Sequence, residues 1–171
     1  MRDMLVLTII GADRTGLVEA LAAEIAAVGG NWEEGRMVRL AGQFAGVLLV
    51  TIETARTDEL VAALRKLDAK GLQIAVRPTA ASTPVEAGHR VHVEVTGNDR
   101  PGIVRDIARI LAEHGFNVED LESETASAPM SGDIMFTARI EATAPAHARL
   151  ADLRSRLEAL GGELMVDLTV S

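Results

Sequence analysis

The 171-residue chain has no cysteine and no tyrosine, one tryptophan and three phenylalanines. Without cysteine there is no disulfide, no thiol nucleophile and no thiolate metal site. So few aromatic rings leave little on which bases could stack, the usual device of single-strand nucleic-acid binders. Positive charge is thin as well: 17 Lys and Arg face 25 Asp and Glu, a net charge of −8. Nucleic-acid binding draws most of its non-specific affinity from a basic patch that neutralises phosphates. The densest basic run, Arg149-Leu-Ala-Asp-Leu-Arg154-Ser-Arg156, is diluted by Asp152 and reads as a solvated helix face. Direct contact with nucleic acid is therefore not expected. No apolar run approaches the ~18 residues that suggest a membrane span, and Met1-Arg-Asp-Met-Leu-Val lacks the layout of a signal peptide. A cytoplasmic protein without membrane contact is expected.

What the chain does have is an internal repeat. Gly11-Ala-Asp-Arg-Thr-Gly16-Leu-Val is echoed 86 residues later by Gly97-Asn-Asp-Arg-Pro-Gly102-Ile-Val. Downstream, Ala22 matches Ala108, Ile25 matches Leu111, Gly29 matches Gly115, and Asn31-Trp-Glu matches Asn117-Val-Glu. A period this long marks a duplicated small domain rather than a solenoid unit. Each half, at about 80 residues, is near the lower end of independent stability, so packing on another domain or chain is expected.

The pattern within each half is the same. Residues 4–10 are short, rich in β-branched side chains and end at Gly11, as a buried strand does. Leu17, Val18, Leu21, Ala22, Ile25 and Val28 then give an apolar helical stripe ended by Gly29-Gly30. Residues 31–40 and 44–53 read as strands around a turn at Ala41-Gly42, followed by a helix with Leu60, Leu64 and Leu67 and a strand from Leu72. The second half repeats this order, its helix positions 103, 104, 107, 108 and 111 matching 17, 18, 21, 22 and 25. The offset drifts from 86 to about 90 by the last helix, which implies insertions around Ala126–Gly132.

The expected fold class is thus α+β: two ferredoxin-like βαββαβ units at 1–78 and 89–171, with 79–88 as a Pro/Ser/Thr/Ala linker. One face of each sheet carries no helix. Alternation turns Leu5, Leu7, Ile9, Leu48, Val50 and Ile52 toward the helices and Val6, Ile10, Val47 and Leu49 away. That outward set is apolar enough to mark an interface. The matching set in the second half, His92, Glu94, Thr96, Met135, Thr137 and Arg139, is far more polar.

A unit of this size and order, with Asp-Arg-Pro-Gly-Ile-Val opening its first helix and Asn117 opening its second strand, resembles an ACT domain. Two in tandem resemble the double-ACT regulators of the glycine cleavage repressor family, over nearly the whole chain. The first copy departs in carrying Thr15 for proline and Gly30 before Asn31. The resemblance implies a non-enzymatic regulatory protein that binds a small ligand, an amino acid such as glycine, at an interface between ACT domains. It also implies homo-oligomers and action on a regulatory protein partner, with transcription as one setting. A stand-alone regulatory subunit of an amino-acid-metabolising enzyme is the alternative.

The turn has the chemistry for this. A helix start offers unpaired N–H groups and the positive end of the macrodipole, which suits a carboxylate. Pro101 would preset the helical φ at a position where a missing N–H costs little, and Gly102 would allow close approach. The candidate ligand residues are Asn98, Asp99, Arg100, Pro101, Gly102, Ile103 and Asn117, with Asp13, Arg14, Thr15, Gly16 and Asn31 as their counterparts. The competing reading has Asp13 and Asp99 capping helices and the glycines making tight turns.

Elsewhere the chemistry is sparse. His89, His92, His114 and His147 lack metal-ligand spacing, so neither metal nor cofactor is expected. Glu33-Glu34 and Glu119-Asp120 resemble paired carboxylates, but adjacent strand residues face opposite sides and read as surface charge. Gly11-Ala-Asp-Arg-Thr-Gly16 lacks the lysine of a phosphate loop. Trp32 is expected to pack rather than stack on a ligand. With no catalytic residues to name, an enzyme is disfavoured.

Overall fold

The computed structural model describes residues 1–80, 88–128, 132–161 and 164–170. It divides into two compact units, 1–83 and 84–171. The first runs β1 (Arg2–Ala12), α1 (Leu17–Ala27), β2 (Asn31–Leu40), β3 (Gln43–Glu53), α2 (Thr57–Arg65) and β4 (Leu72–Thr79). The second runs β5 (His89–Asn98), α3 (Ile103–Glu113), β6 (Asn117–Ser127), β7 (Ile134–Ala144), α4 (Leu150–Glu158) and β8 (Met165–Val170). Each sheet is four-stranded, in the orders β2-β3-β1-β4 and β6-β7-β5-β8, and every pairing is antiparallel. This is the βαββαβ order the repeat implied. Most of the linker expected at 79–88 lies outside the described residues, as do 129–131 of the implied insertion. That insertion falls between β6 and β7, which are joined by residues 128–133 where β2 and β3 need only 41–42. By register Leu48 answers to Ile140 and Val76 to Leu168, so the offset from β7 onward is 92 rather than about 90.

Alternation sets each core. Leu5, Leu7 and Ile9 of β1 and Leu48, Val50 and Ile52 of β3 are buried beneath Leu17, Leu21 and Ile25 of α1 and Leu60 and Leu64 of α2. In the second unit Val91, Val93, Val95, Phe136, Ala138 and Ile140 meet Ile103, Ile107, Ile110, Leu111, Leu153 and Leu157. Each such aliphatic side chain contributes roughly 1.5–3 kcal/mol through burial. Trp32 packs partly buried against the first core, as expected. No helix among the described residues is long and apolar enough to cross a membrane.

Two local readings are corrected. The helical stripes are narrower than the sequence implied: Val18 is 47% and Val104 40% exposed, and Ala108 is exposed. Residues 17 and 18 are about 100° apart around the helix, and the buried arc is centred on 17, 21 and 25. The pairing of β2 with β3 shifts register between Trp32 and Glu34, and that of β6 with β7 between Val118 and Asp120. Each shift is a β-bulge centred on Glu33 or Glu119. A bulge adds a residue and breaks alternation, so Glu33 and Glu34 do not face opposite sides. The Glu33 carboxylate accepts from Thr51 Oγ1 at 2.6 Å and Asn31 Nδ2 at 2.9 Å, while Glu34 lies opposite Leu49 on the same open face.

The β2–β3 turn holds Ala41 at φ 48° and Gly42 at φ 78°. Both central residues at positive φ define a type I′ turn, whose preferred first residue is Asn. Alanine in this region costs roughly 1–2 kcal/mol. Ala41→Asn is therefore expected to stabilise the first unit and raise its melting temperature by a few degrees, read by thermal unfolding of the full chain. An unchanged or lowered midpoint refutes that assignment of strain.

Candidate functional site

The two turns begin where β1 and β5 end. Asp13 N–H donates to the Gly42 carbonyl at 2.9 Å, and Asp99 N–H to the Ile134 carbonyl at 2.8 Å. Each turn is thereby anchored to the start of the neighbouring hairpin strand. Ile103 N–H then reaches the Arg100 carbonyl at 3.3 Å, closing a four-residue turn with Pro101 second and Gly102 third. Gly102 has φ 84° and ψ 4°, and Gly16 φ 88° and ψ 5°. Proline followed by a left-handed residue is the type II pattern, which glycine satisfies without strain. The helix starts one residue later than the sequence implied. Pro101 presets the turn rather than the helix, and Gly102 is the residue before the helix.

This geometry alters several assignments. No side chain caps α1 or α3, so the capping reading of Asp13 and Asp99 is incorrect. Asp13 instead sits 3.4 Å from Arg39 Nη1. The Ile103 side chain is buried in the core and its N–H is taken by the Arg100 carbonyl. Asn98, Asp99, Pro101 and Gly102 are exposed, as are Asp13, Arg14, Thr15 and Gly16.

The asparagines lie elsewhere. Asn117 is opposite Thr143, and Thr143 opposite Arg90 at the other end of β5 from Asn98. Eight strand positions separate Arg90 from Asn98, about 26 Å at ~3.3 Å per residue. Asn31 relates to Ala12 in the same way through Thr51 and Met4. One unit therefore does not bring its asparagine and its turn together.

Two residues absent from the sequence reading shape the second turn. Asp106 on α3 is buried and accepts from Arg100 Nη1 at 2.8 Å and from Arg105 Nη2 at 3.0 Å. A Cβ on Gly102 would lie 3.2 Å from Arg105 Nη2, so that guanidinium covers the turn. The signal was a carboxylate inside an apolar stripe, between Ile103 and Ile107. The first copy has Ala20 there, and Arg14 donates to the Lys70 carbonyl instead.

At the far end of α3, His114 Nδ1 donates to the Ile110 carbonyl at 2.8 Å, which fixes its tautomer. A shallow depression there is lined by Glu113, His114, His147, Arg149 and Asp152. Among the described residues no three His, Asp or Glu gather to hold a metal ion.

With the fold and the turns in view, the class of protein is defined. Residues 3–77 and 91–158 each match the ACT domain family, and the chain belongs to that family as two domains in tandem. The chain is similar over 164 residues to the glycine cleavage system transcriptional repressor of Escherichia coli, at 27% identity covering 94% of this chain and 85% of that protein. Among solved structures, an unknown protein from Galdieria sulphuraria superposes with a TM-score of 0.87 at 27% identity, covering 100% of this chain and 99% of its own. A second, 19% identical, covers 100% and 98% with a TM-score of 0.74 and shares the fold.

Arg100 first, and Arg105 after it, hold the Asp106 carboxyl below the ordinary carboxylate range. A group depressed in the folded state adds stability above its unfolded pKa and loses it as pH falls through the folded value. Asp106→Asn should therefore destabilise the second unit most at neutral pH, and the deficit against wild type should shrink in acid. Thermal unfolding across pH checks this; a deficit constant with pH would assign the loss to packing rather than charge.

Proposed function

We propose that the chain is a non-enzymatic cytoplasmic regulator whose second turn binds the carboxylate of a small amino acid, glycine first among them. Occupancy would change its association with a regulatory protein rather than with DNA. The observation that carries this reading is the uncapped start of α3. Its first N–H groups have no side-chain partner, the macrodipole points its positive end outward, and two guanidiniums surround one buried carboxylate. Asp99 and Asp106 equal Arg100 and Arg105 in number, but Asp106 is buried and the Arg105 guanidinium exposed, which leaves a charged donor for an anion beside the start of the helix. The first turn is less suitable, since Glu19 occupies the first turn of α1 and Arg14 is bound to a carbonyl.

The E. coli relative is named as a repressor of the glycine cleavage system, which supports both the regulatory role and the amino-acid class. Because turn and asparagine are separated within a unit, Asn117 would take part in the same site only if it came from another ACT domain. A ligand bridging two domains favours the assembly that forms the bridge, which couples binding to partner choice.

Calorimetric titration with glycine, serine and the other amino acids tests the reading. One small amino acid should bind, and Asn98→Ala should weaken it by about 1 kcal/mol, the usual loss for one neutral hydrogen bond. Asn117→Ala should have a similar effect if a second domain completes the site. Absence of any binding, or affinity unchanged in Asn98→Ala, Arg100→Ala and Arg105→Ala, would remove the turn from consideration. Gly102→Val is a poor probe, because positive φ strains any side chain there.

A further inference from the structure

The open face of the first sheet has a charge pattern that its registers spell out. Glu34 lies opposite Leu49, Leu49 opposite Val6, and Val6 opposite Arg77. One row across the four strands thus reads acid, apolar, apolar, base. The adjacent row reads Arg36, Val47, Thr8, Ala75, and the next Val38, Ala45, Ile10, Gln73. Val38 is 59%, Val47 52% and Ile10 47% exposed. Met4, Val6, Val47 and Leu49 line a shallow depression of about 290 Å³ on this face. Glu34 and Arg77 make no ion pair among the described residues.

We propose that this face packs against the same face of a second copy, about a two-fold axis parallel to the strands. That operation reverses each row over itself. It sets Glu34 of one protomer over Arg77 of the other at both edges, and Leu49 over Val6 in the middle. An isologous contact needs such self-complementarity, and sheets packed face to face keep their strands roughly aligned. The area suffices: strands of 11 residues and four strands at about 4.8 Å spacing give roughly 650 Å² per face. Two faces bury about 1,300 Å², within the range of stable interfaces.

The other sheet does not offer this contact. Its corresponding row reads Asp120, Glu141, His92, Thr169, with charge in the middle, and the next reads Glu122, Arg139, Glu94, Asp167, where reversal sets Glu122 over Asp167. Docked on the first face of a second copy, it would set Thr169 over Glu34 and desolvate His92 and Glu141 against Leu49 and Val6. Like charges oppose the first arrangement and desolvated charges the second. The occupant is therefore the first face of a second copy.

Sedimentation equilibrium of the full chain tests this with a charge exchange. The wild type should be dimeric. Glu34→Arg and Arg77→Glu should each weaken the dimer about tenfold or more, since each sets like charges together at both edges. The double variant E34R/R77E should restore association to within a few-fold of wild type. Circular dichroism and thermal unfolding of the two single variants confirm that the units stay folded. A monomeric wild type leaves the face to a different protein and overturns the proposal. A dimer unaffected by the single variants, or weakened further in the double variant, places the contact elsewhere and overturns it too. The proposal does not rest on amino-acid binding. Titrating glycine into the same variants reads that site separately, so the two readings can fail independently.

Discussion

Each sheet is organised by the double-sided pairing of its first strand, β1 with β3 and β4, and β5 with β7 and β8. That register decides which side chains enter the core, and where the chain leaves the sheet to start a helix. It also decides how closely the last strand approaches. Gly11 has no room for a Cβ because the Gly71 carbonyl oxygen would lie 2.5 Å from it, and Leu164 closes the same space over Gly97. The two glycines that begin the repeated motif are therefore explained by strand packing. The two that end it, Gly16 and Gly102, are explained by left-handed turns. A ligand is needed to account for none of the four.

Much of this was legible because duplication supplied a control within one chain. Matched glycines, matched leucines and a fixed offset defined the units, and alternation assigned the faces of β1 and β3 correctly. Three things were not legible. Bulges leave no compositional mark, so Glu33 and Glu34 were set apart by an alternation that stops at Trp32. A left-handed φ at Gly102 cannot be told from a helical one by residue type, since glycine accepts both. The distance from Asn117 to the turn depends on strand direction, which a linear motif conceals: nineteen positions after Asn98, Asn117 sits at the far end of the sheet. Asp106 is legible in principle, as a charge within an apolar stripe, but its partners Arg100 and Arg105 are not marked by helical spacing alone.

The two units share a scaffold and diverge at their surfaces. Asp106 and Arg105 set an exposed guanidinium over the turn in the second, where Ala20 and Glu19 leave the first without one. On the open faces the difference runs the other way. The second carries His92 paired to Glu141 at 2.9 Å and Arg139 within 3.7 Å of Glu124, so its charges are largely satisfied in place. The first keeps apolar residues in the middle and charges at the edges. Sensing and assembly would thus fall to different halves, each free to vary without disturbing the other.

The bulges also bear on how β2 and β6 can change in length. Side chains alternate with a period of two, so losing one residue from a regular strand turns every later one inside out. In β2 such a loss would expel Trp32 or Met37 from the core, according to where it fell. Glu33 is different: it is the extra residue, and the ladder on either side already meets Trp32 and Glu34 in opposite senses. Removing it would leave both flanks in phase. The strand has one position where it can shorten and remain the same strand, and it lies beside the asparagine that opens it.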